Sequence, residues 1–124
     1  MSYKNLQIWQ LAREVVIDIH TMSLELPKFE LYEQGSQIRR SSKTTKSAIV
    51  EGYGRRRYKA DWLKFLIIAL SSNDETIDHL ETLFETNSLT NEATYTTIHA
   101  KLLTLGKMLN KFTITVEKEH ISVK

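Results

Sequence analysis

The chain has no cysteine, one proline and four glycines among its 124 residues. The absence of cysteine excludes disulfides, thiolate zinc sites and cysteine nucleophiles, so packing alone must hold the fold. The longest apolar run, from Phe65 to Leu70, is far shorter than the roughly 20 residues that span a bilayer. The N-terminus also lacks the pattern of a signal peptide. We therefore expect a cytoplasmic protein without a transmembrane segment.

Few residues that break helices are present, and this scarcity favours long helices with short connections. Hydrophobic residues make up 41% and charged residues 26% of the chain, which is typical of a folded globular protein. A chain of this length buries one core, so we predict a single domain over residues 1–124. The predicted breaks lie at Pro27, at Gly52 and Gly54, and between Asn87 and Asn91.

Between these breaks, apolar residues recur at the three-to-four spacing of a helical face. The pattern predicts helices over residues 5–26, 36–52, 60–87 and 91–113. Asn5 is the predicted cap of the first helix, Asp61 or a residue just before it starts the third, and Thr90 or Asn91 caps the fourth. The β-branched, polar tail from Thr113 is predicted to fray. Four amphipathic segments indicate an all-α fold, an antiparallel up-and-down four-helix bundle.

Two features of the predicted helices suggest special packing. Asn73 is the one polar residue in the centre of the third helix's apolar stripe, and it predicts either a network with Ser72, Glu75 and the second helix, through Glu51 or Arg40, or a boundary position that is wet on one side. Gly106 lies inside the fourth helix, where it indicates close packing or a slight bend.

The net charge of +2 conceals an uneven distribution. Nine bases and two acids lie between Ile38 and Lys64, a net charge of +7, so the rest of the chain carries −5. Six acids and no lysine or arginine lie between Asp74 and Glu92. Like charges at helical spacing repel one another and do not help an isolated fold, which suggests a polyanionic partner.

The basic region predicts a surface that binds nucleic acid. Guanidinium and ammonium groups contact phosphates, and an exposed tyrosine stacks on a base. The predicted site consists of one stripe on the second helix and the turn that follows it: Arg39, Arg40, Lys43, Lys46, Arg55, Arg56, Arg57, Tyr58 and Lys59. The alternative is that these charges are solvated, or that acids of a neighbouring helix or subunit neutralise them.

No catalytic motif is visible in the sequence, so we expect no enzyme activity and no cofactor. The di-iron sites of helical bundles need two Glu-x-x-His pairs and two further glutamates, which this sequence lacks. The group of Glu75, Asp78 and His79 is interpreted as a solvated acidic face. We interpret the remaining histidines as surface or boundary residues rather than ligands or bases: His20, His99 and His120.

Several motifs together resemble a known bacterial family. They are Gln37-Ile38-Arg39-Arg40-Ser41-Ser42, Ile49 to Arg55, Phe65-Leu66 with Ala69, Ser71-Ser72 with Glu75, Leu6 with Trp9 and Ala12, and Leu26-Pro27 with Glu30 and Tyr32. These motifs resemble the four-helix bundle proteins that are encoded in intervening sequences of large-subunit ribosomal RNA genes and were once mislabelled as ribosomal proteins. The chain departs from the family's usual residues at Thr44-Thr45, Ala48 and Asn73.

The resemblance implies an up-and-down bundle that assembles as a homopentameric ring. It also implies kinship with the accessory variability proteins of diversity-generating retroelements, which bind nucleic acid through basic surfaces, and it implies no enzyme activity.

Three functions are compared on this basis. The leading hypothesis is a homo-oligomer that binds RNA or DNA through its phosphate backbone, without reading base sequence. The second is a protein-interaction adaptor whose basic face docks an acidic partner, such as a reverse transcriptase or its ribonucleoprotein. The third, a metal-dependent bundle enzyme, requires bound iron or manganese.

Overall fold

A computed structural model describes residues 2–119, and this part of the chain contains four α-helices and no strand. The helices are α1 (Gln7–Leu24), α2 (Gln34–Gly54), α3 (Lys59–Glu85) and α4 (Glu92–Glu119). Two short 3-10 helices, Tyr3–Asn5 and Lys28–Leu31, precede α1 and α2. None of the helices in the described range combines the length and apolar content that crossing a membrane requires.

Helices that are consecutive in the chain pack against each other, and α4 also packs against α1. Pairs of residues at both ends of the α1–α2 and α3–α4 interfaces establish that these helices are antiparallel. Arg39 of α2 contacts Ser23 near the end of α1, whereas Lys46 lies over Trp9 near its beginning. Trp62 at the start of α3 meets Phe112 of α4, and Phe84 at its end meets Tyr95. The predicted four-helix bundle is confirmed.

The core of the bundle is mainly aliphatic, with Tyr53 and Trp62 also buried in it. Burying each of these side chains contributes about 1.5–3 kcal/mol relative to leaving it in water. The largest fully buried apolar side chains come from all four helices: Val15, Ile19, Ile38, Ile49, Leu66, Leu80, Leu83, Leu102, Leu105 and Leu109.

Several predicted helix ends are wrong by about two residues, and two have clear physical reasons. Asn5 lies in the first 3-10 helix, and α1 starts after Leu6 without a side-chain cap. Gln34 and Gly35 already belong to α2 because the buried carboxylate of Glu30 accepts a hydrogen bond from the Gln34 amide. The cap at Asn91 is confirmed, since its Oδ1 accepts a hydrogen bond from the Thr94 amide at 3.0 Å.

The prediction that the chain frays from Thr113 is wrong for the described residues. Helix α4 continues to Glu119, and Thr113 and Val116 are buried against the bundle. Tertiary packing therefore outweighs the low helix propensity of these β-branched residues. Residues 120–124, the remainder of the predicted tail, lie outside the described range.

The interface between α2 and α3 is close and partly polar. Added to Gly52, a Cβ atom would lie 2.6 Å from the Trp62 ring and 2.7 Å from the Cβ of Phe65. The hydroxyl groups of Ser41 and Thr76 are 2.7 Å apart in the same interface. These small residues let the two helices approach more closely than leucines would.

The predicted network of Asn73 with α2 is wrong. Asn73 is buried, but its Nδ2 donates a hydrogen bond to the Leu102 carbonyl of α4 at 3.0 Å. Its Oδ1 has no hydrogen-bond partner among residues 2–119. A Cβ on Gly106 would lie 3.3 Å from the same Nδ2. Gly106 therefore serves close packing, one of the two functions that its position predicted.

Candidate nucleic-acid interface

The outer side of α2 carries an open surface groove lined by cationic and hydroxyl side chains. We call it the α2 groove, and its lining residues are Ser36, Arg39, Arg40, Lys43, Thr44 and Ser47. Arg40 and Lys43 are exposed, and one helical turn separates them. The groove therefore presents two exposed cations together with short hydroxyl side chains that do not obstruct a ligand.

Arg39 is bound to the protein itself, unlike its neighbour Arg40. Its side chain is half-buried between α1 and α2, where Nη1 donates to Ser23 Oγ at 3.1 Å and Nη2 donates to the Leu31 carbonyl at 2.7 Å. Consecutive helical residues point about 100° apart, which places Arg39 on the side toward α1. The sequence predicted Arg39 as part of the exposed stripe, whereas the structure uses two of its donors internally.

Lys43 and Lys46 border a second depression between α1 and α2. The apolar part of its lining comes from Tyr3, Val16 and Val50. The Lys46 ammonium lies 5.6 Å from the centre of the Trp9 ring, within the range of a cation–π interaction. Lys46 is therefore half-buried along its stem, while no acid within the described part of the chain pairs with its charge.

Carboxylates compensate the first arginine of the turn between α2 and α3. Arg55 Nε lies 3.2 Å from Glu51, and its Nη1 lies 3.8 Å from Asp61. The same guanidinium lies over the Phe65 ring at 5.6 Å. Since more than half of the Arg55 side chain is exposed, the ion pairs are weak, yet they reduce the charge that Arg55 offers to a partner.

The other residues of the turn differ in exposure and in their contacts. The guanidinium of Arg56 stacks 3.8 Å above the Tyr53 ring and donates to the Tyr53 carbonyl at 2.8 Å, so its orientation is fixed. Arg57 is exposed beside Tyr58, whose exposed fraction is 50%. Lys59, the first residue of α3, is half-buried.

The acids of α3 do not neutralise the bases of α2 within one chain. Within residues 2–119, no carboxylate lies within 4.0 Å of the cationic groups of Arg40, Lys43, Lys46 or Arg57. Glu75 and Glu81 of α3 instead lie near histidines, at 3.9 Å from His79 and 2.9 Å from His99. When the described part of the chain is considered, the predicted alternative of pairing within the bundle therefore holds for Arg55 alone among the arginines of the site.

In contrast with the cationic α2 groove, two side chains of α4, Tyr95 and Lys101, lie near acidic residues. Tyr95 stacks on Phe84 with 4.0 Å between ring centres, and burial, with the charges of Glu81 and Glu85, raises the pKa of its hydroxyl. On the far side of α4, Lys101 donates to Asp18 at 2.7 Å and lies 3.4 Å from Glu14. The hydrogen bond to Asp18 is the main cause that raises the pKa of Lys101.

The group of Glu75, Asp78 and His79 is only partly a solvated face. Both acids are exposed, but His79 is half-buried, and Gln34 of α2 contacts its Nδ1. The described residues contain no group of three or more side chains that could hold a metal ion. His20 is exposed and His99 contacts Glu81, while His120 lies outside the described range.

Sequence reasoning did not single out the exposed aromatic side chains in the connection between α1 and α2. Phe29 and Tyr32 expose 58% and 87% of their surface there, although both are large aromatic residues. Glu30 between them is buried, and its Oε2 accepts a hydrogen bond from Ser88 Oγ at 2.6 Å. Two aromatic residues on either side of a glutamate beside a predicted basic stripe were the signal that could have indicated this surface.

The comparison with solved structures and curated sequences gives two findings. The fold is similar to the crystal structure of a protein of unknown function from the S23 ribosomal protein family of Bacteroides thetaiotaomicron, with a TM-score of 0.78 and 25% sequence identity. The similarity covers 87% of this chain and 96% of that chain. No curated protein sequence matches.

The relationship to a sequence family is specific. The resemblance noted in the sequence rested on motifs distributed from Leu6 to Glu75. The sequence model of the 23S rRNA-intervening sequence protein family matches residues 4–111, which include α1, α2, α3 and most of α4. The chain therefore belongs to the 23S rRNA-intervening sequence protein family.

Proposed function

We propose that this chain is a non-enzymatic, cytoplasmic protein that binds RNA or DNA through the phosphate backbone. The observation that carries the proposal is the set of exposed cations without a carboxylate partner among the described residues: Arg40 and Lys43 in the α2 groove and Arg57 in the turn. These three are the primary contacts, and Lys46, Arg56, Tyr58 and Lys59 extend the same basic surface.

The charge pattern supports a polyanionic ligand in particular. Lys101 of α4, in contrast, is paired with Asp18 and Glu14. The cations of α2 repel one another at their helical spacing, which costs a few tenths of a kcal/mol per pair. A row of phosphates removes this repulsion and releases condensed counterions, so binding becomes favourable at low salt.

The proposal is tested with a triple variant, Arg40→Gln, Lys43→Gln and Arg57→Gln. Binding of fluorescently labelled RNA and DNA oligonucleotides is measured by anisotropy at several salt concentrations. If each residue contacts one phosphate, the slope of log affinity against log salt becomes smaller by about 2–3. The matched control replaces three exposed lysines of α4, Lys107, Lys111 and Lys118, with glutamine, which changes the net charge equally.

Two results would contradict the proposal. Equal losses of oligonucleotide affinity in the triple variant and in the control would mean that only the net charge matters. The α2 surface would then have no special function. No binding by the unaltered protein at low salt would reject nucleic acid as the ligand. An acidic protein partner that is captured after nuclease treatment, and lost in the triple variant, would then support the adaptor hypothesis.

We also propose that the chain works as a homo-oligomer, a pentamer according to the family resemblance. Large apolar side chains remain exposed on α3 and α4, with exposed fractions of 57% for Ile67, 46% for Leu103 and 41% for Ile114. A subunit interface would bury them and would bring several α2 grooves into one field. Light scattering gives the assembly mass directly, and a monomer at every concentration would contradict this proposal.

A further inference from the structure

The connection between α1 and α2 presents two aromatic rings to solvent. Tyr32 exposes 87% and Phe29 exposes 58% of its surface. Single exposed hydrophobic residues are common and do not by themselves indicate a binding site. Here, however, two rings lie within four residues of the chain, beside a groove whose exposed cations have no carboxylate partner among the described residues. This combination indicates a ligand with both charged and aromatic parts.

Hydrogen bonds fix the position of the connection relative to the α2 groove. Arg39, which lines the groove, donates to the carbonyl of Leu31, the residue immediately before Tyr32. The same guanidinium donates to Ser23 at the end of α1. Glu30 ties the connection to the α2 amide of Gln34 and to Ser88 before α4. The backbone that carries Tyr32 is therefore held next to the groove although its side chain is exposed.

An exposed ring beside phosphate-binding cations suits one form of nucleic acid. Every base has a flat face that stacks on an aromatic side chain, but in a duplex that face is already covered by neighbouring base pairs. Single strands offer unstacked bases and a backbone that follows a basic groove. A purely electrostatic surface would need no aromatic side chain.

We propose that the ligand of this surface is single-stranded nucleic acid, with a base stacked on Tyr32 while the adjoining phosphates contact Arg40 and Lys43. Arg39 is then a positioning residue, which holds the Leu31–Tyr32 backbone at the groove and does not itself bind phosphate. This inference rests on the proposed function and specifies its ligand.

The first test compares single-stranded and duplex oligonucleotides of about twelve residues, as RNA and as DNA. Removing one base–aromatic stack costs about 1–3 kcal/mol. Tyr32→Leu is therefore expected to lower single-strand affinity roughly 5- to 150-fold, and to leave duplex affinity unchanged. Tyr32→Phe and Tyr32→Trp keep a ring and should keep the affinity. Because the side chain is almost fully exposed, none of these variants endangers the fold.

A matched control uses another exposed apolar side chain at the same end of α1. Leu24 exposes 60% of its surface and lies at the last residue of α1. Leu24→Ala should change neither affinity, since an aliphatic side chain offers no ring. If Tyr32→Leu and Leu24→Ala reduce binding equally, or if Tyr32→Leu reduces duplex and single-strand binding equally, the stacking inference is rejected.

The second test examines Arg39. Removing a side chain that binds one phosphate of a single strand lowers the salt slope by about 0.7, whereas removing a positioning residue leaves the slope unchanged. We expect Arg39→Gln to lower single-strand affinity at an unchanged slope, and to have little further effect when combined with Tyr32→Leu. A lower salt slope, together with affinity losses that add in the double variant, would overturn the positioning role of Arg39. Thermal melting of Arg39→Gln establishes that the variant is folded at the assay temperature.

The outcomes separate this inference from the proposed function. If neither single strands nor duplexes bind, the proposed function fails and the inference fails with it. If both bind, lose affinity in the triple variant of Arg40, Lys43 and Arg57, and are indifferent to Tyr32→Leu, the proposed function stands and the single-strand inference alone is rejected.

Discussion

On the side of α2 that faces α3, Ser41, Thr45, Ala48 and Gly52 are buried, whereas the opposite side presents Arg40 and Lys43 to solvent. The buried side has little apolar area, and so its contribution comes from close approach and paired hydroxyls. The exposed side carries like charges that repel one another. One helix thus separates residues that stabilise the fold from those of the proposed binding surface, and changes on its two sides should affect different measurements.

The largest expected effect on stability comes from Gly52→Ala. Its new Cβ would lie 2.6 Å from the Trp62 ring and 2.7 Å from Phe65 Cβ, so the helices must separate. Such overpacking costs about 1–3 kcal/mol in the free energy of unfolding, which urea denaturation measures. Gly54→Ala, two residues along, is the control because its Cβ meets no atom within 4 Å. It should instead gain up to about 1 kcal/mol, and equal effects at both glycines would refute the close-approach explanation.

The next effect concerns the hydroxyl pair in the same interface. Thr76→Val keeps the shape of the side chain but removes the Oγ1 that lies 2.7 Å from Ser41 Oγ. We expect a loss of about 1–2 kcal/mol on urea denaturation, since the buried Ser41 hydroxyl loses a partner. The double variant Ser41→Ala with Thr76→Val should recover part of this loss. If the double variant loses more free energy of unfolding than the two single variants together, the two residues contribute by other contacts.

Lys101 shows what a paired cation contributes, in contrast with the cations of the α2 groove. Its hydrogen bond to Asp18 raises its folded-state pKa above the ordinary 10.5. Its stabilising effect is therefore fully present below pH 10.5 and is lost as the pH rises through the folded pKa. Lys101→Met should cost about 0.5–1 kcal/mol near neutral pH, and the difference from the unaltered protein should disappear above that pKa. Unfolding with urea at several pH values measures this difference, and Lys107→Met, at an exposed position of α4, is the control for removing a lysine.

The parts of this fold that the sequence predicted are those encoded locally. Four long periodic segments, the break at Pro27 and the cap at Asn91 each depend on residues within a few positions of one another. The extension of α4 beyond Thr113 depends instead on contacts with the rest of the bundle, which propensity cannot reveal. The same is true of Asn73, whose partner on α4 is 29 residues away in the chain.

The candidate site also has features that the sequence predicted and features that only the structure shows. Composition located the basic region, because charge is visible in the sequence. It could not separate Arg39 from Arg40, which are neighbours in sequence but differ by about 100° around the helix. Nor could it predict that Glu51 and Asp61 both approach Arg55, because Asp61 belongs to another helix. Rotation of each helix about its axis, which only packing determines, decides which cations remain unpaired.

The smallest effect on stability is expected on the exposed side of α2. Arg40→Gln and Lys43→Gln remove exposed charges that pair with no carboxylate among the described residues. The free energy of unfolding should therefore change by less than about 0.5 kcal/mol, with any change in the stabilising direction because repulsion along the helix falls. Urea denaturation of each variant, at low and at high salt, checks this expectation. A stabilisation that disappears at high salt would identify repulsion as its cause, whereas a large destabilisation would show that these cations support the fold and would remove the main argument for a binding surface.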